Sequence, residues 1–122
     1  MGQNLKTILI LEDDESSRNA LTALLESAGY KTLEASTVKQ ATHHLYNNCL
    51  PDLILLDLKF LDKGGDLFTL ELSQNPIFQN IPLFVMSGFL DPKSTSIQNV
   101  FAVFEKPVVN HELLKAIAAR LG

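Results

Sequence analysis

The sequence predicts an α/β fold with a doubly wound, five-stranded parallel sheet, and two observations lead to that prediction. Short apolar runs alternate along the chain with segments of helical character, five of each. Two of the runs, Thr7–Leu11 and residues 53–56, are almost continuously apolar, as strands covered on both faces are. Strands that alternate with helices are joined by right-handed crossovers, which makes the strands parallel and places helices on both faces of the sheet.

Composition indicates one domain and disfavours several kinds of partner. The 122 residues, 46% of them hydrophobic and 20% charged, suffice for one core but not for two, so we expect a single domain over residues 1–122. The sequence lacks a signal peptide and any apolar run near the roughly 18 residues of a membrane span, which favours a cytoplasmic protein without membrane contact. A net charge of −4 disfavours a nucleic-acid surface, and the single cysteine, Cys49, excludes an internal disulfide.

The first strand, Thr7–Leu11, runs directly into four consecutive acids, residues 12–15. Such a cluster is unfavourable unless a cation lies beside it. Asp14 can serve as the N-cap of the helix that follows, so part of the cluster has a structural explanation. Glu12 and Asp13 have no such structural explanation.

Apolar stripes at helical spacing identify the first, second and last helices. Their members are Leu21, Leu24, Leu25 and Ala28 in the first helix, Val38, Ala41 and Leu45 in the second, and Leu114, Ile117, Ala118 and Leu121 in the last. Gly29 is placed to end the first helix, and Thr37 with Gln40 matches a capping box at the start of the second. Asn110 is placed to cap the last helix.

The other elements are predicted from shorter patterns. The remaining strands are Lys31–Ala35, residues 81–86 and residues 101–104. Residues 59–66, which include two glycines, are typical of a loop, and residues 67–72 open the third helix. Asp91 followed by proline predicts the start of a fourth helix, which should be short because residues 93–96 propagate a helix poorly.

The carboxyl ends of parallel strands lie at one edge of the sheet, where α/β proteins place their ligands. That edge collects Glu12 and Asp13 from the first strand, Asp57 from the third, Ser87 from the fourth and Lys106 from the fifth. Taken alone, Asp57 is best explained as a cap of the next turn. The three acids together suit Mg²⁺, which prefers oxygen ligands. Asp57 would then be a nucleophile that forms an acyl phosphate, with Ser87 and Lys106 donating to the phosphoryl oxygens.

These residues resemble the receiver domains of two-component response regulators. The motifs that carry the resemblance are Leu9-Ile10-Leu11-Glu12-Asp13, Leu55-Leu56-Asp57 with Gly65 eight residues on, Met86-Ser87-Gly88, and Glu105-Lys106-Pro107. They occur in the right order at strand ends, and the resemblance covers nearly the whole chain. It implies a flavodoxin-like (βα)5 fold with strand order 2-1-3-4-5.

The resemblance also implies a role for each residue of the site. Asp57 is expected to accept a phosphoryl group from a histidine kinase or phosphotransfer protein, and Ser87 and Lys106 to stabilise that group. The Lys106-Pro107 peptide bond is expected to be cis. The implied ligands of Mg²⁺ are Glu12, Asp13, Asp57 and the backbone carbonyl of Lys59.

Some positions depart from the family pattern. Leu61 stands where the family usually has a proline, and Val103 stands at the switch position that is usually Tyr or Phe. The segment between Ser87 and Lys106 is shorter than usual by nearly a helical turn. Within it, we expect residues 90–100 to be the least stable part of the fold and the part that phosphorylation changes most.

Two further positions are implied to set the lifetime of the acyl phosphate. They are Lys59, two residues beyond the acceptor, and Phe89, two residues beyond the serine. A bulky apolar Phe89 should screen the phosphoryl group from water, so we expect a long-lived acyl phosphate.

Three functions from different classes remain open at the level of sequence. The first is a phosphorylatable receiver, either a single-domain relay or part of a larger regulator, whose output domain or downstream partner is unknown and which is a monomer or weak dimer. The second is a pseudo-receiver that binds partners without phosphorylation, which Val103 favours and the intact acidic set opposes. The third is an enzyme, but the acidic loop after the first strand would repel a flavin phosphate, and Lys59 replaces the second Asp of aspartyl phosphohydrolases.

Overall fold

Five strands alternate with helices in the part of the chain that the structure, a computed structural model, describes: residues 5–47, 50–63, 65–88 and 100–122. The strands are β1 Thr7–Leu11, β2 Lys31–Ala35, β3 Leu53–Asp57, β4 Leu83–Ser87 and β5 Val100–Glu105. The α-helices are α1 Glu15–Ser27, α2 Val38–Asn47, α3 Gly65–Gln74 and α4 Asn110–Leu121, and a 3₁₀ helix covers Leu58–Lys63. Cys49, Phe89 and the predicted fourth helix lie outside the described residues, so α4 is the predicted fifth helix.

The strands form one parallel sheet in the order β2-β1-β3-β4-β5, which confirms the predicted topology. β3 and β4 are buried at every position, as expected of strands near the centre of a sheet that is covered on both faces. Because all four strand pairs are parallel, every carboxyl end lies at the same edge of the sheet. Within the described residues, no helix has the length and apolar character that a bilayer span requires.

Two separate clusters of apolar side chains cover the two faces of the sheet, because successive strand residues point to opposite faces. Residues of α2 and α3 complete the first cluster, whose buried members include Leu9, Leu11, Ala41, Leu45, Ile54, Leu56, Phe68, Leu72 and Val85. Residues of α1 and α4 complete the second, whose buried members include Ile8, Ile10, Leu25, Leu53, Leu55, Phe84, Met86, Leu113 and Ile117. The fold is therefore doubly wound, and the burial of each such aliphatic side chain contributes about 1.5–3 kcal/mol.

Local signals define the ends of α1 and α2 as predicted. Asp14 caps α1 by accepting a hydrogen bond from the Ser17 N–H at 2.8 Å. Gly29 has φ +95°, a left-handed conformation that glycine adopts without a Cβ penalty, and the chain turns there towards β2. At the start of α2, the Thr37 hydroxyl accepts from the Gln40 N–H at 3.1 Å, which is one half of the predicted capping box.

The segment after β3 differs from the prediction. The described part of the predicted loop is helical, because a 3₁₀ helix covers Leu58–Lys63 and α3 already begins at Gly65. Leu58 and Phe60 are 1% and 2% exposed. These two apolar side chains pack into the core, and their burial favours the 3₁₀ helix over an open loop.

The C-terminal elements also shift from the predicted positions. β4 begins at Leu83 because Pro82 has no N–H to donate to the ladder, and β5 extends one residue beyond the predicted strand at each end. α4 has Val109, not Asn110, at its N-cap position, with no side-chain cap. Its buried stripe contains Leu113, whereas Ala118 is exposed, since turning the larger Leu side chain inwards removes more apolar surface from water.

Candidate functional site

Glu12 is held in place at the end of β1 by both its backbone and its side chain. Its N–H donates to the Ala35 carbonyl oxygen at 3.1 Å, which extends the β1–β2 ladder by one bond. Its Oε2 accepts from the Asp14 N–H at 3.1 Å. The residue is only 2% exposed, so the strand delivers this carboxyl group into the protein and not into solvent.

Asp57 ends β3, is also 2% exposed, and uses both carboxylate oxygens. Its Oδ1 accepts from the Lys59 N–H at 3.0 Å, and its Oδ2 accepts from Lys106 Nζ at 2.5 Å. The Lys106 N–H in turn donates to the Ser87 carbonyl oxygen at 2.8 Å, which fixes the start of the β5–α4 connection against the end of β4. The Lys106-Pro107 peptide bond is cis, as the family resemblance implied. Strands β3, β4 and β5 thus bring a buried carboxylate and a cation together.

The two buried carboxyl groups have opposite pKa shifts. Burial, together with a hydrogen bond to Asp57, raises the pKa of Glu12 to about 7. Burial also opposes ionisation of Asp57, but hydrogen bonds to Glu12, Lys106 and the Lys59 N–H prevail and hold the pKa of Asp57 below its usual value. At neutral pH, Asp57 is therefore an anion with Lys106 as its counterion, and Glu12 is close to the midpoint of its titration.

An open cleft of about 370 Å³ lies over these groups. Its lining consists of Glu12, Asp13, Asp14, Ser17, Asp57, Lys59 and Lys106. The structure thus brings together five of the predicted site residues. Ser87 is buried at the end of β4 and is not part of that described lining.

Carboxylate oxygens dominate this cleft and fit the donor preference of Mg²⁺, which binds proteins through one or two carboxylates and retains several waters. In the described part of the chain, no three His, Cys, Asp or Glu side chains are already arranged as a metal-binding group. Glu12 and Asp57 are nevertheless hydrogen-bonded to each other at a point where a cation could replace the shared proton. The residues therefore suit a hard cation that keeps part of its water shell.

Arg18, which lies one turn into α1, is a residue of this region that was not predicted from the sequence. Its Nη1 donates to the Glu12 carbonyl oxygen at 3.1 Å, and its Nε forms an ion pair with Glu34 Oε1 at 3.2 Å. The run of four acids at residues 12–15 could have indicated it, because such a cluster is favourable only beside a cation. Mg²⁺ was predicted for that role, but an arginine at the start of the following helix was not considered.

Val103 is 50% exposed on β5, so at this position no buried aromatic ring reports the state of the site. A register shift in the β4–β5 ladder places Phe101 beside Phe84, with stacked rings 5.5 Å apart. The Arg120 guanidinium of α4 lies 5.3 Å from the centre of the Phe101 ring. Phe101 therefore packs at the end of β5 remote from Lys106, and the Phe104 ring, nearer to Lys106, lies 5.7 Å from the same Phe84 ring.

Comparison with known proteins agrees with this geometry. Residues 8–118 match the family described as the response regulator receiver domain. The phosphate regulon transcriptional regulatory protein PhoB of Pseudomonas aeruginosa is 33% identical over 123 residues, an alignment that covers 96% of this chain and 53% of that protein. The polar-differentiation response regulator DivK of Brucella ovis is 26% identical, and the alignment covers 96% of this chain and 97% of that protein. The chain thus spans about half of the first relative and nearly all of the second.

Solved structures show the same fold. A response regulator receiver domain protein from Clostridium thermocellum superimposes with a TM-score of 0.80 at 23% identity, over 96% of this chain and 94% of the other. The chemotaxis response regulator CheY4 of Vibrio cholerae gives a TM-score of 0.81 at 19% identity, over 97% and 100%. At these identities, the two comparisons establish the architecture alone.

Proposed function

Because the chain belongs to the receiver-domain family of two-component response regulators, we propose that Asp57 accepts a phosphoryl group from a histidine kinase or phosphotransfer protein. One observation carries the proposal: the Asp57 carboxylate lies in the acidic cleft with Lys106 Nζ 2.5 Å from its Oδ2. A strand-end Asp that served only as a turn cap would need neither the contact with Lys106 nor the neighbouring carboxyl groups.

The chemistry follows from the protonation states of these side chains. Asp57 is ionised because its pKa is lowered, so a carboxylate oxygen can attack phosphorus directly. A new O–P bond forms, the bond from phosphorus to the donor breaks, and the donor's leaving group takes the electron pair of that bond. As negative charge develops on the phosphoryl oxygens, the Lys106 ammonium can shift its hydrogen bond from the carboxylate to those oxygens and stabilise them. Ser87 is proposed as a further donor to those oxygens.

Mg²⁺ is the proposed cofactor, with Glu12, Asp13, Asp57 and the backbone carbonyl of Lys59 as its ligands. When bound, it would neutralise the negative charge that gathers between the carboxylates and the phosphoryl group. Within the chain itself, Glu12 and Asp13 provide the oxygen donors, and the cleft leaves room for water to complete the coordination.

Phosphorylation is proposed to change the binding of a downstream protein or output domain. PhoB carries a transcriptional regulatory function in its name, and the present chain spans 53% of it, whereas it spans 97% of DivK. Relatives of both sizes support a receiver function, with the output residing in another domain or in another protein.

Intact-mass spectrometry after incubation with acetyl phosphate and Mg²⁺ tests the proposal. We expect the wild-type protein to gain one phosphoryl group and Asp57→Asn to gain none. Asp52→Asn is the matched control, since Asp52 stands at the opposite end of the same strand and its Oδ2 accepts from the Thr7 N–H at 2.8 Å, a role that an amide oxygen retains. Equal phosphorylation of the wild type and Asp57→Asn would refute the assignment. No phosphorylation of any of the three would favour a pseudo-receiver.

A further inference from the structure

Arg18 connects the acidic end of β1 to the neighbouring edge strand. Its guanidinium spans from the Glu12 carbonyl oxygen, at 3.1 Å, to Glu34 Oε1 on β2, at 3.2 Å. The Arg18 side chain is 17% exposed and its contact with the Glu12 carbonyl oxygen is partly buried, whereas Glu34 is 40% exposed and its ion pair with Arg18 faces solvent. The planar fork of arginine suits such a double contact, because separate N–H groups can donate in different directions.

Arg18 donates to the carbonyl oxygen of Glu12, which belongs to the peptide bond between Glu12 and Asp13. On its other side, the Glu12 N–H is already fixed by the Ala35 carbonyl oxygen at 3.1 Å. In the described part of the chain, Arg18 is the donor to the Glu12 carbonyl oxygen. Its removal would free this carbonyl, and the turn between Glu12 and the start of α1 could rotate. Rotation there would redirect the two carboxylates that are proposed to bind the cation.

We propose that Arg18, anchored by Glu34, is a positioning residue that holds the Glu12–Asp13 turn in its cation-binding conformation. The inference rests on the proposed function, because it concerns the Mg²⁺ site. Partners that orient metal ligands typically change metal affinity about 10–100-fold when they are removed.

The sign of the effect separates positioning from simple electrostatics. Arg18 is a cation near a site for another cation, so electrostatic repulsion alone predicts that its neutralisation tightens Mg²⁺ binding. Positioning predicts the opposite. A weaker affinity in Arg18→Gln can therefore not be explained by the lost charge.

The experiment measures Mg²⁺ affinity by isothermal titration calorimetry on the whole chain. We expect about tenfold weaker binding in Arg18→Gln and a smaller loss in Arg18→Lys, which keeps the charge but not the fork. Glu34→Ala should also weaken binding, because it releases the anchor. Glu26→Ala is the matched control: Glu26 also links α1 to β2, by accepting from the Thr32 hydroxyl at 2.8 Å, but it does not contact Glu12.

Amide hydrogen exchange of the metal-free proteins provides a readout that does not depend on Mg²⁺. The Glu12 and Asp14 amides should exchange faster in Arg18→Gln than in the wild type, while the interior of α1 at Leu25 should be unchanged. Equal or tighter Mg²⁺ binding by Arg18→Gln, or an equal loss in Glu26→Ala, overturns the inference alone. Absence of Mg²⁺ binding by the wild type overturns the metal site of the proposed function and the inference with it.

Discussion

Glu12 and Asp57 show how two acidic residues in contact acquire different roles. Both are 2% exposed and both accept from a backbone N–H, but Asp57 also accepts from the Lys106 ammonium. These contacts stabilise the charged form of Asp57, whereas burial and the hydrogen bond to Asp57 stabilise the neutral form of Glu12. Of the two groups, Glu12 is therefore the one that binds the proton, and the Asp57 carboxylate, the proposed nucleophile, stays ionised.

This division predicts that Mg²⁺ affinity depends on pH. With a pKa of about 7, Glu12 binds a proton below neutrality, and that proton must leave before the carboxylate can bind a cation. Affinity should therefore fall about tenfold for each pH unit below 7 and reach a plateau above it.

Calorimetric titrations at pH 6, 7 and 8 and constant ionic strength check this prediction. Glu12→Gln is the matched variant, since it keeps the shape of the side chain but cannot titrate in this range. It should bind Mg²⁺ more weakly than the wild type at pH 8 and show little change down to pH 6. A wild-type affinity that is the same at pH 6 and pH 8 would contradict the assignment of the proton to Glu12.

At the scale of elements, the ends of the helices follow from local side-chain chemistry where a cap is present. Asp14 and Thr37 each accept from a backbone N–H in the first turn of their helix. α4 lacks such a cap, because Asn110, the predicted N-cap, is its first helical residue and Val109 occupies the N-cap position. Backbone bonds from Glu112 and Leu113 to the Val109 carbonyl oxygen begin that helix.

The cap of α2 gives a prediction about stability. Thr37→Ala removes the acceptor for the Gln40 N–H, and we expect the free energy of unfolding to fall by about 1 kcal/mol. Thr37→Ser is the control, because its hydroxyl can make the same hydrogen bond. Urea unfolding followed by circular dichroism measures both variants. If alanine and serine destabilise the protein equally, the methyl group of Thr37 and not its hydroxyl stabilises the helix.

At the scale of the whole molecule, the sheet lies between the two clusters of apolar side chains. The candidate site lies at the carboxyl ends of the strands, at the edge of both clusters. Alternate residues of β3 serve different clusters, with Leu55 in one and Leu56 in the other, both 0% exposed. A strand packed on both faces moves little, and this rigidity fixes Asp57 at its end.

A cavity on either face of the sheet should therefore lower the free energy of unfolding by a similar amount. Leu55→Ala and Leu56→Ala should each lower the free energy of unfolding by about 2–5 kcal/mol, because neither site opens to solvent. Leu67→Ala on α3 is the control, since Leu67 is 77% exposed, and it should change stability by less than about 0.5 kcal/mol. Chemical denaturation measures all three variants. A small effect at either buried position would contradict a sheet packed on both faces.

The sequence by itself determined the parallel sheet and the residues at its carboxyl edge. Both depend on local patterns: continuous apolar runs mark strands buried on both faces, and the residue that follows each run lies at the strand end. Glu12, Asp13, Asp57 and Lys106 were identified in this way, and all four line the cleft. The family resemblance added the strand order and the cis peptide bond, which spacing does not reveal.

Only the tertiary structure decided which of these groups touch and how they share charge. The Lys106–Asp57 contact joins residues 49 positions apart, and the Arg18–Glu34 pair joins residues 16 apart. Neither distance is encoded in a local pattern, because each depends on how two elements pack against the sheet. The pKa values of Glu12 and Asp57 depend on the same contacts and on burial, so their opposite directions emerge only from the folded chain.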